Sequence, residues 1–345
     1  MAEEGWIVVT EAQARAAARA TLIAAGCDEA HARAAAAVLV RAEQDGCASH
    51  GLFRLPGFVA ALGCGKAKGD AAPTVAQLAP GIVRVDGGRG LSPLATEIAR
   101  EEIARLARTN GIAAAAITNV HHFSALWVDI EPLVEQGLGA LICTAYVPFV
   151  APAGARQRFF GTNAIAFGFP TGDGGFIFDQ ASAATARGEL QIRARDGGLA
   201  PEGAGVGPDG SPTRDPAAIL LGAQSPFGGH KGSSIALMVE LLAGVLIGQP
   251  TSPEAGREEA ARGALEDTGP PNGGVLLIAF DPDKFGDAQG WRAHAVSFFA
   301  ELRALPGVRL PGDRRKAERA RVSREGVRLP AALWRQVVAL AAGQS

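Results

Sequence analysis

No stretch of this 345-residue chain reaches the about 18 consecutive apolar residues needed to cross a bilayer. Its hydrophobic residues, 48% of the total, fall instead into alanine-rich runs and short Val/Ile/Leu/Phe segments, so no membrane association is expected. The opening MAEEGWIVVT is acidic, with no basic segment leading into an apolar one, and no export signal is expected. Charge of one sign is also missing. The 33 basic and 35 acidic side chains leave a net −2, which gives no broad field for nucleic acid or an acidic membrane. Small molecules, or further copies of the chain, are the partners this balance favours. The four cysteines, Cys27, Cys47, Cys64 and Cys143, contain no C-x-x-C pair, which suits free thiols in a reducing compartment and points to a cytoplasmic protein.

The familiar nucleotide and metal motifs are absent too. No G-x-G-x-x-G follows a strand; GAGVGPDG (203–210) has the wrong spacing and the wrong context, which argues against a Rossmann fold. GGHKGSS (228–234) is not a phosphate loop of the Walker type, because Gly232 separates Lys231 from Ser233. His121 and His122 are adjacent and point in different directions from either a helix or a strand, with no carboxylate cluster beside them, so no metal is expected.

What is present is a mixture of helix and strand signals at a length that allows one large domain or two. Thr10 and Gln13 form a capping box for a helix ending near Gly26, and Asp28 caps a second that ends at Asp45-Gly46. A third helix is expected to begin at Ser49 or His50. Ser92-Pro93 reads as a cap and first-turn proline for a helix to about Thr109. Strands are expected at 81–88, 111–120, 138–146, 175–179 and 275–281, and helices at 124–136, 231–247, 290–304 and 330–342. The segment 161–170, GTNAIAFGFP, is a run of small residues that allows a close backbone approach with one buried hydroxyl, Thr162, or equally a plain loop, and 196–216 reads as a long irregular connection. No internal repeat is visible.

Several segments carry chemistry. In SHGLFRLP, a single helix would put His50 and Arg54 four residues apart on one face, a proton carrier beside a carboxylate clamp. The plainer reading is a capping serine with a surface histidine and a solvated arginine. The start of a helix after the strand at 111–120 is a place where anions bind, although His122 and Ser124 can equally be caps. FDQASAATARGELQ offers Asp179, Ser182, Arg187 and Glu189, the last able to orient a histidine from elsewhere in the fold or, more plainly, a solvated carboxylate at a helix end. Lys231 after two glycines, and Arg314-Arg315 after a Pro-Gly turn, can neutralise phosphate; otherwise they are a helix start and solvated surface.

Taken in order, SHGLFRLP, GTNAIAFGFP, FDQASA and FGGHKGSS resemble the type 2 malate/L-lactate dehydrogenase family over nearly the whole chain. HHFSALWVDIEPLVEQGL and LPGDRRKAERAR are most similar to the Δ1-piperideine-2-carboxylate/Δ1-pyrroline-2-carboxylate reductases within it. The resemblance implies a non-Rossmann α/β fold around a largely antiparallel sheet with flanking helices, and a homodimer with the nicotinamide cofactor near its interface. It implies a mainly helical region at 1–110 carrying Ser-His and Arg and packing with 300–345, and an NAD(P)-binding α/β region at 111–299. His50 resembles the family's proton donor, Ser49 and Glu189 its relay partners, and Arg54 and Thr162 the substrate contacts. The cofactor site is implied at His121, His122, Phe123, Ser124, Ala125 and Leu126, at Asp179, Arg187 and Gly188, at His230 and Lys231, and at Pro311, Gly312, Asp313, Arg314 and Arg315. Two departures stand out: Glu189 occupies a position where those reductases carry aspartate, and Ala164 one where the family has proline.

The expected activity is therefore reduction of cyclic imino acids by NADPH, with NADH weaker because Arg314 and Arg315 can pair with a 2′-phosphate. A 2-hydroxy-acid dehydrogenase acting on malate, lactate, sulfolactate or ureidoglycolate would use the same His and Arg. A catalytically silent NADPH-binding interaction protein is the third reading.

Overall fold

The computed structural model describes residues 5–121, 125–171, 175–263 and 273–344. The chain opens with β1 (Trp6–Val9), α1 (Glu11–Ala24) and α2 (Glu29–Gln44). The capping box forms as expected: Gln13 N donates to Thr10 Oγ1 and Thr10 N to Gln13 Oε1, while Asp28 accepts from His31 N at 2.8 Å. Two single turns, Ala48–His50 and Leu52–Arg54, then lead into α3 (Leu55–Gly63). The helix expected from Ser49 is thus broken at Gly51 and starts properly only at Leu55, with Pro56 in its first turn where a missing N–H costs little. The cause is Glu43, whose buried carboxylate accepts the Leu52 N–H at 2.6 Å and turns the chain there.

The central region runs β2 (Thr74–Ala79), β3 (Ile82–Leu91), α4 (Ser92–Asn110), β4 (Ile112–His121), α5 (Leu126–Glu135), β5 (Gly139–Thr144), β6 (Ala164–Phe169), β7 (Phe176–Gln180) and α6 (Arg187–Arg195). Ser92 is not a cap: β3 passes directly into α4 with Leu91 at the N-cap, and the Ser92 hydroxyl is buried. Residues 164–169, read from sequence as loop, form β6, because both faces of that strand are covered and no polar alternation marks it. Thr162 is only partly buried; the fully buried residue there is Asn163.

Beyond α6 come the two-residue strands β8 (Gly205–Val206) and β9 (Pro212–Thr213), α7 (Pro216–Leu221), β10 (Ala223–Gln224) and α8 (His230–Glu240), which runs on into a π turn at Leu241–Val245. α9 (Ser252–Ala261), β11 (Gly273–Phe280), α10 (Trp291–Ala304), α11 (Asp313–Glu325), β12 (Val327–Pro330) and α12 (Ala331–Ala341) complete the chain.

Among the described residues, seven strands form the main sheet in the order β2-β3-β4-β11-β5-β6-β7. Every neighbouring pair is antiparallel except β3 and β4, which α4 joins as a crossover. Two of its strands, β2 and β3, lie before residue 110. On one face, Ile103 of α4 and Ile130 and Leu133 of α5 pack over Ile117, Ile142 and Leu277. On the other, Val239, Ala243 and Ile247 cover Cys143 and Leu276, so the sheet is the middle of three layers. A separate apolar cluster joins α1, α2 and α3 to β12 and α12 through Leu22, Leu39, Leu55, Phe58 and Leu329, and β1 pairs with β12. Among the described residues, no helix is long and apolar enough to cross a membrane.

Candidate active site

Four of the sequence segments meet around one cavity of about 630 Å³. The turn after α2 supplies Cys47, Ser49, His50 and Arg54; β5 and β7 supply Thr144 and Asp179, and the segment entering β6 supplies Thr162; the starts of α5, α6 and α11 supply further walls. The serine, histidine and arginine that a single helix was expected to align are brought together by the two turns instead. Neither turn belongs to an α-helix, so the i, i+4 geometry fails while the convergence it was meant to produce holds.

On the wall formed by the turn after α2, Ser49 Oγ lies 3.1 Å from His50 Nδ1, which leaves Nε2 as the ring nitrogen without that partner. Burial, and secondarily the Arg54 guanidinium, push the imidazole down to about 4, so it is neutral at neutral pH. Arg54 is braced: its Nε donates to Ser49 O at 2.6 Å and its Nη1 to Gln191 Oε1 at 3.1 Å. Gly188 stands against it, and a Cβ there would overlap Arg54 Nη2 and sit 3.0 Å from Ser49 Cβ. Glycine at 188 therefore lets α6 close on the arginine. Thr162 is held through its neighbour. Asn163 has φ of 40°, and its buried amide donates to Ala236 O at 3.0 Å and Glu240 Oε1 at 2.7 Å.

Elsewhere on the cavity wall, Asp179 Oδ2 accepts from Trp127 N at 3.1 Å and so caps the start of α5 from a neighbouring strand. Burial pushes its carboxyl up to about 6, against the backbone N–H groups of Trp127 and Leu126 and the charge of Arg315. Arg187 lies 3.5 Å over the Phe149 ring centre. Arg315 donates to Ile177 O at 2.7 Å and lies over Trp127, whereas Arg314 is exposed at the cavity edge.

Of the residues singled out from sequence, Leu126 lines the cavity, as do Asp179, Arg187, Gly188, Glu189, Arg314 and Arg315. Glu189 does not reach His50; its carboxylate pairs with Arg193 at 2.9 Å, one helical turn along. His121 is buried against the Phe58 ring and does not line the cavity, nor does Ala125 just before α5. Pro311, Gly312 and Asp313 shape the turn into α11, with Asp313 Oδ2 accepting from Leu310 N, and stay behind the two arginines. His230 and Lys231 are exposed at the head of α8, outside this cavity. His122, Phe123 and Ser124 lie outside the described residues.

Sequence reasoning missed Trp127, Tyr146, Phe149 and Gln191, of which Phe149 backs Arg187 and the other three touch the cavity or Arg54 directly. Trp127 and Tyr146 carried a faint signal as one of four tryptophans and the only tyrosine. The donor set suits a nicotinamide cofactor. Arg314 and Arg315 offer charge for phosphate at one end, and Leu126, Ala164, Ala181 and Ile192 give a neutral middle for a planar ring.

Comparison with known proteins finds similarity over nearly the whole chain. A family model described as malate/L-lactate dehydrogenase matches residues 9–338. A Δ1-pyrroline-2-carboxylate reductase of Ancylobacter novellus is 49% identical over 93% of this chain and 94% of its own. A Δ1-pyrroline-2-carboxylate/Δ1-piperideine-2-carboxylate reductase of Pseudomonas aeruginosa is 47% identical over 90% of this chain and 92% of its own. The crystal structure of Δ1-piperideine-2-carboxylate reductase from Pseudomonas syringae pv. tomato superposes with a TM-score of 0.91 at 40% identity, covering 97% of this chain and 99% of that one.

Proposed function

The chain belongs to the malate/L-lactate dehydrogenase family, and from that premise we propose that it is an NADPH-dependent reductase of cyclic imino acids. It converts Δ1-pyrroline-2-carboxylate to L-proline and Δ1-piperideine-2-carboxylate to L-pipecolate. One observation carries the reading: His50 and the braced Arg54 line the same cavity, in a chain whose relatives at 47–49% identity are named for these imines.

Arg54 takes the substrate carboxylate, its guanidinium already oriented by Ser49 O and Gln191. That places the adjacent C=N beside His50, whose Nε2 hydrogen-bonds the ring nitrogen while Ser49 holds Nδ1. The bound carboxylate also offsets the Arg54 charge, one of the two causes that lower the imidazole, and so returns it part of the way toward its ordinary value. Proton donation is thus favoured by the substrate itself. Reduced nicotinamide, when bound, supplies a hydride to the C=N carbon. Arg314 and Arg315 would hold its 2′-phosphate, with Asp179, Arg187 and the start of α5 lining its path.

The working unit in this reading is a homodimer. Its support is an exposed apolar stripe, Leu237, Leu241 and Val245 with Leu246, on α8 and its π turn. His230 and Lys231 begin the same helix, so their cofactor role is proposed together with the pairing of two chains. Cytoplasmic residence is supported by four unpaired cysteines. The test is to follow NADPH absorbance with both imines and with pyruvate and oxaloacetate. Oxidation with the imines supports the proposal; oxidation with the 2-oxo acids alone assigns hydroxy-acid chemistry instead.

A further inference from the structure

The turn carrying His50 and the helix carrying Arg314 and Arg315 are far apart in sequence, yet one carboxylate ties both to the same indole. Asp45, 1% exposed at the end of α2, accepts from Trp127 Nε1 at 2.7 Å. The same carboxylate takes both prongs of Arg319, from Nε at 2.8 Å and Nη2 at 2.9 Å. Arg319 Nη1 continues to Glu131 Oε1 at 2.8 Å, and Glu131 Oε2 accepts from Arg41 at 3.0 Å. This network joins α2, α5 and α11 immediately behind the cavity. Each of those helices delivers one of its walls: α2 leads into Ser49 and His50, α5 begins with Leu126 and Trp127, and α11 begins beside Arg314 and Arg315.

Trp127 is where these walls touch. Its ring meets the His50 imidazole edge-on, with centroids 5.7 Å apart and planes at 71°. The Arg315 guanidinium lies 5.2 Å over the same ring. Its backbone N–H goes to Asp179. The indole N–H bond to Asp45 fixes the ring about its own axis, which a phenyl ring of similar size could not do. Arg54, by contrast, is held by Ser49 O and Gln191, neither of which involves Trp127.

We propose that Trp127 is a positioning residue of the reaction, held by Asp45 and Arg319 so that its ring sets the plane of the His50 imidazole. The inference rests on the reading of His50 as the group that serves the substrate nitrogen. Because Trp127 makes neither of the bonds from Arg54 to Ser49 O and Gln191, loss of the indole acts on turnover more than on substrate binding.

The experiment compares full-length wild type, Trp127→Phe and Trp127→Leu. Steady-state kinetics with Δ1-pyrroline-2-carboxylate are measured alongside NADPH binding by fluorescence titration. Trp127→Phe, which keeps a ring but loses the N–H anchor, lowers kcat by ~10-fold, and Trp127→Leu lowers it by ~10²-fold, the scale of a misplaced reacting group. KM for the imine stays near wild type in both, and the Phe variant recovers part of what the Leu variant loses. Should the Leu variant fold poorly, the Phe variant alone decides. Unchanged kcat in the Phe variant, or equal losses in kcat and in substrate affinity, would overturn the assignment. Inactivity of the wild type toward both imines would instead remove the functional reading, and this inference with it.

Discussion

A Gly188→Ala chain gains one methyl group where α6 meets the turn of residues 49–54. The added carbon would overlap Arg54 Nη2, and would lie 3.0 Å from Ser49 Cβ and 3.2 Å from Ser49 O. The Ser49 backbone is fixed by the turn, so the long arginine side chain yields. Reaching an ordinary contact means a retreat of about 1 Å. That displacement strains the bonds from Arg54 to Ser49 O and Gln191 and moves the guanidinium, the proposed carboxylate clamp, relative to His50. A misplacement of this size costs up to about 10²-fold in kcat/KM, or about 2.7 kcal/mol of transition-state stabilisation. Stability responds far less. Weakening two hydrogen bonds costs about 1–2 kcal/mol, and alanine in a helix returns up to about 1 kcal/mol relative to glycine. Expected, then, is a protein that melts close to wild type and binds NADPH nearly as well, but has a raised KM for the imine. Steady-state kinetics, thermal melts and a cofactor titration measure the three quantities. A wild-type kcat/KM, or a loss confined to cofactor affinity, would refute the proposed role of Arg54 as the substrate clamp that Gly188 makes room for.

Three further outcomes follow from the geometry. Burial pushes the Glu43 carboxyl up to about 7, so the folded chain keeps a proton that the unfolded chain releases above its ordinary value near 4.5. Stability contributed by this group is accordingly lost as pH rises through that window. Glu43→Gln keeps an acceptor for Leu52 N but cannot ionise. Its melting temperature should gain on wild type between about pH 5 and about pH 8, by the equivalent of up to about 3 kcal/mol; parallel melting curves across that range would contradict it. Arg314→Ala should weaken NADPH about 10- to 100-fold and NADH little, since a charge-assisted hydrogen bond to phosphate is worth about 1.5–3 kcal/mol; equal weakening of both excludes a 2′-phosphate contact. Leu241→Glu places a charge in the exposed stripe on the π turn and should shift the protein to monomer in light-scattering measurements, an unchanged mass arguing against that face as the dimer contact.

The parts legible from sequence were those governed by neighbours in the chain. The caps of α1 and α2 and the apolar runs of β4, β5 and β11 depend on residues three or four positions away, and these elements were placed within a few residues. What could not be read depends on distant partners. The turn at Gly51 is set by Glu43, and Trp127 takes its role from Asp45, 82 residues earlier. Glu189 was expected beside His50, but Arg193, one turn along the same helix, captures its carboxylate. α11 has no apolar stripe to announce it; its sequence DRRKAERARVSRE is anchored by polar contacts to distant residues, Arg319 to Asp45 and Glu131 and Arg315 to Ile177 O, with Val322 its one buried residue. β6 resembled a loop because its six residues, AIAFGF, are apolar or glycine throughout and show no polar alternation. Four of the segments that meet in the cavity were visible as motifs, whereas the strand that brings Thr144 and Tyr146 to it was read only as a strand, and Gln191 and Trp127 were not singled out.

The most direct measurement is the initial rate of NADPH oxidation with Δ1-pyrroline-2-carboxylate by wild type and by His50→Ala, with the NADPH dissociation constant determined for each. Wild type should turn over, and the variant should bind NADPH normally while its kcat falls by ~10²–10⁴-fold, the range for loss of a proton-transfer group. A variant that reduces the imine as fast as wild type would contradict the account at its centre.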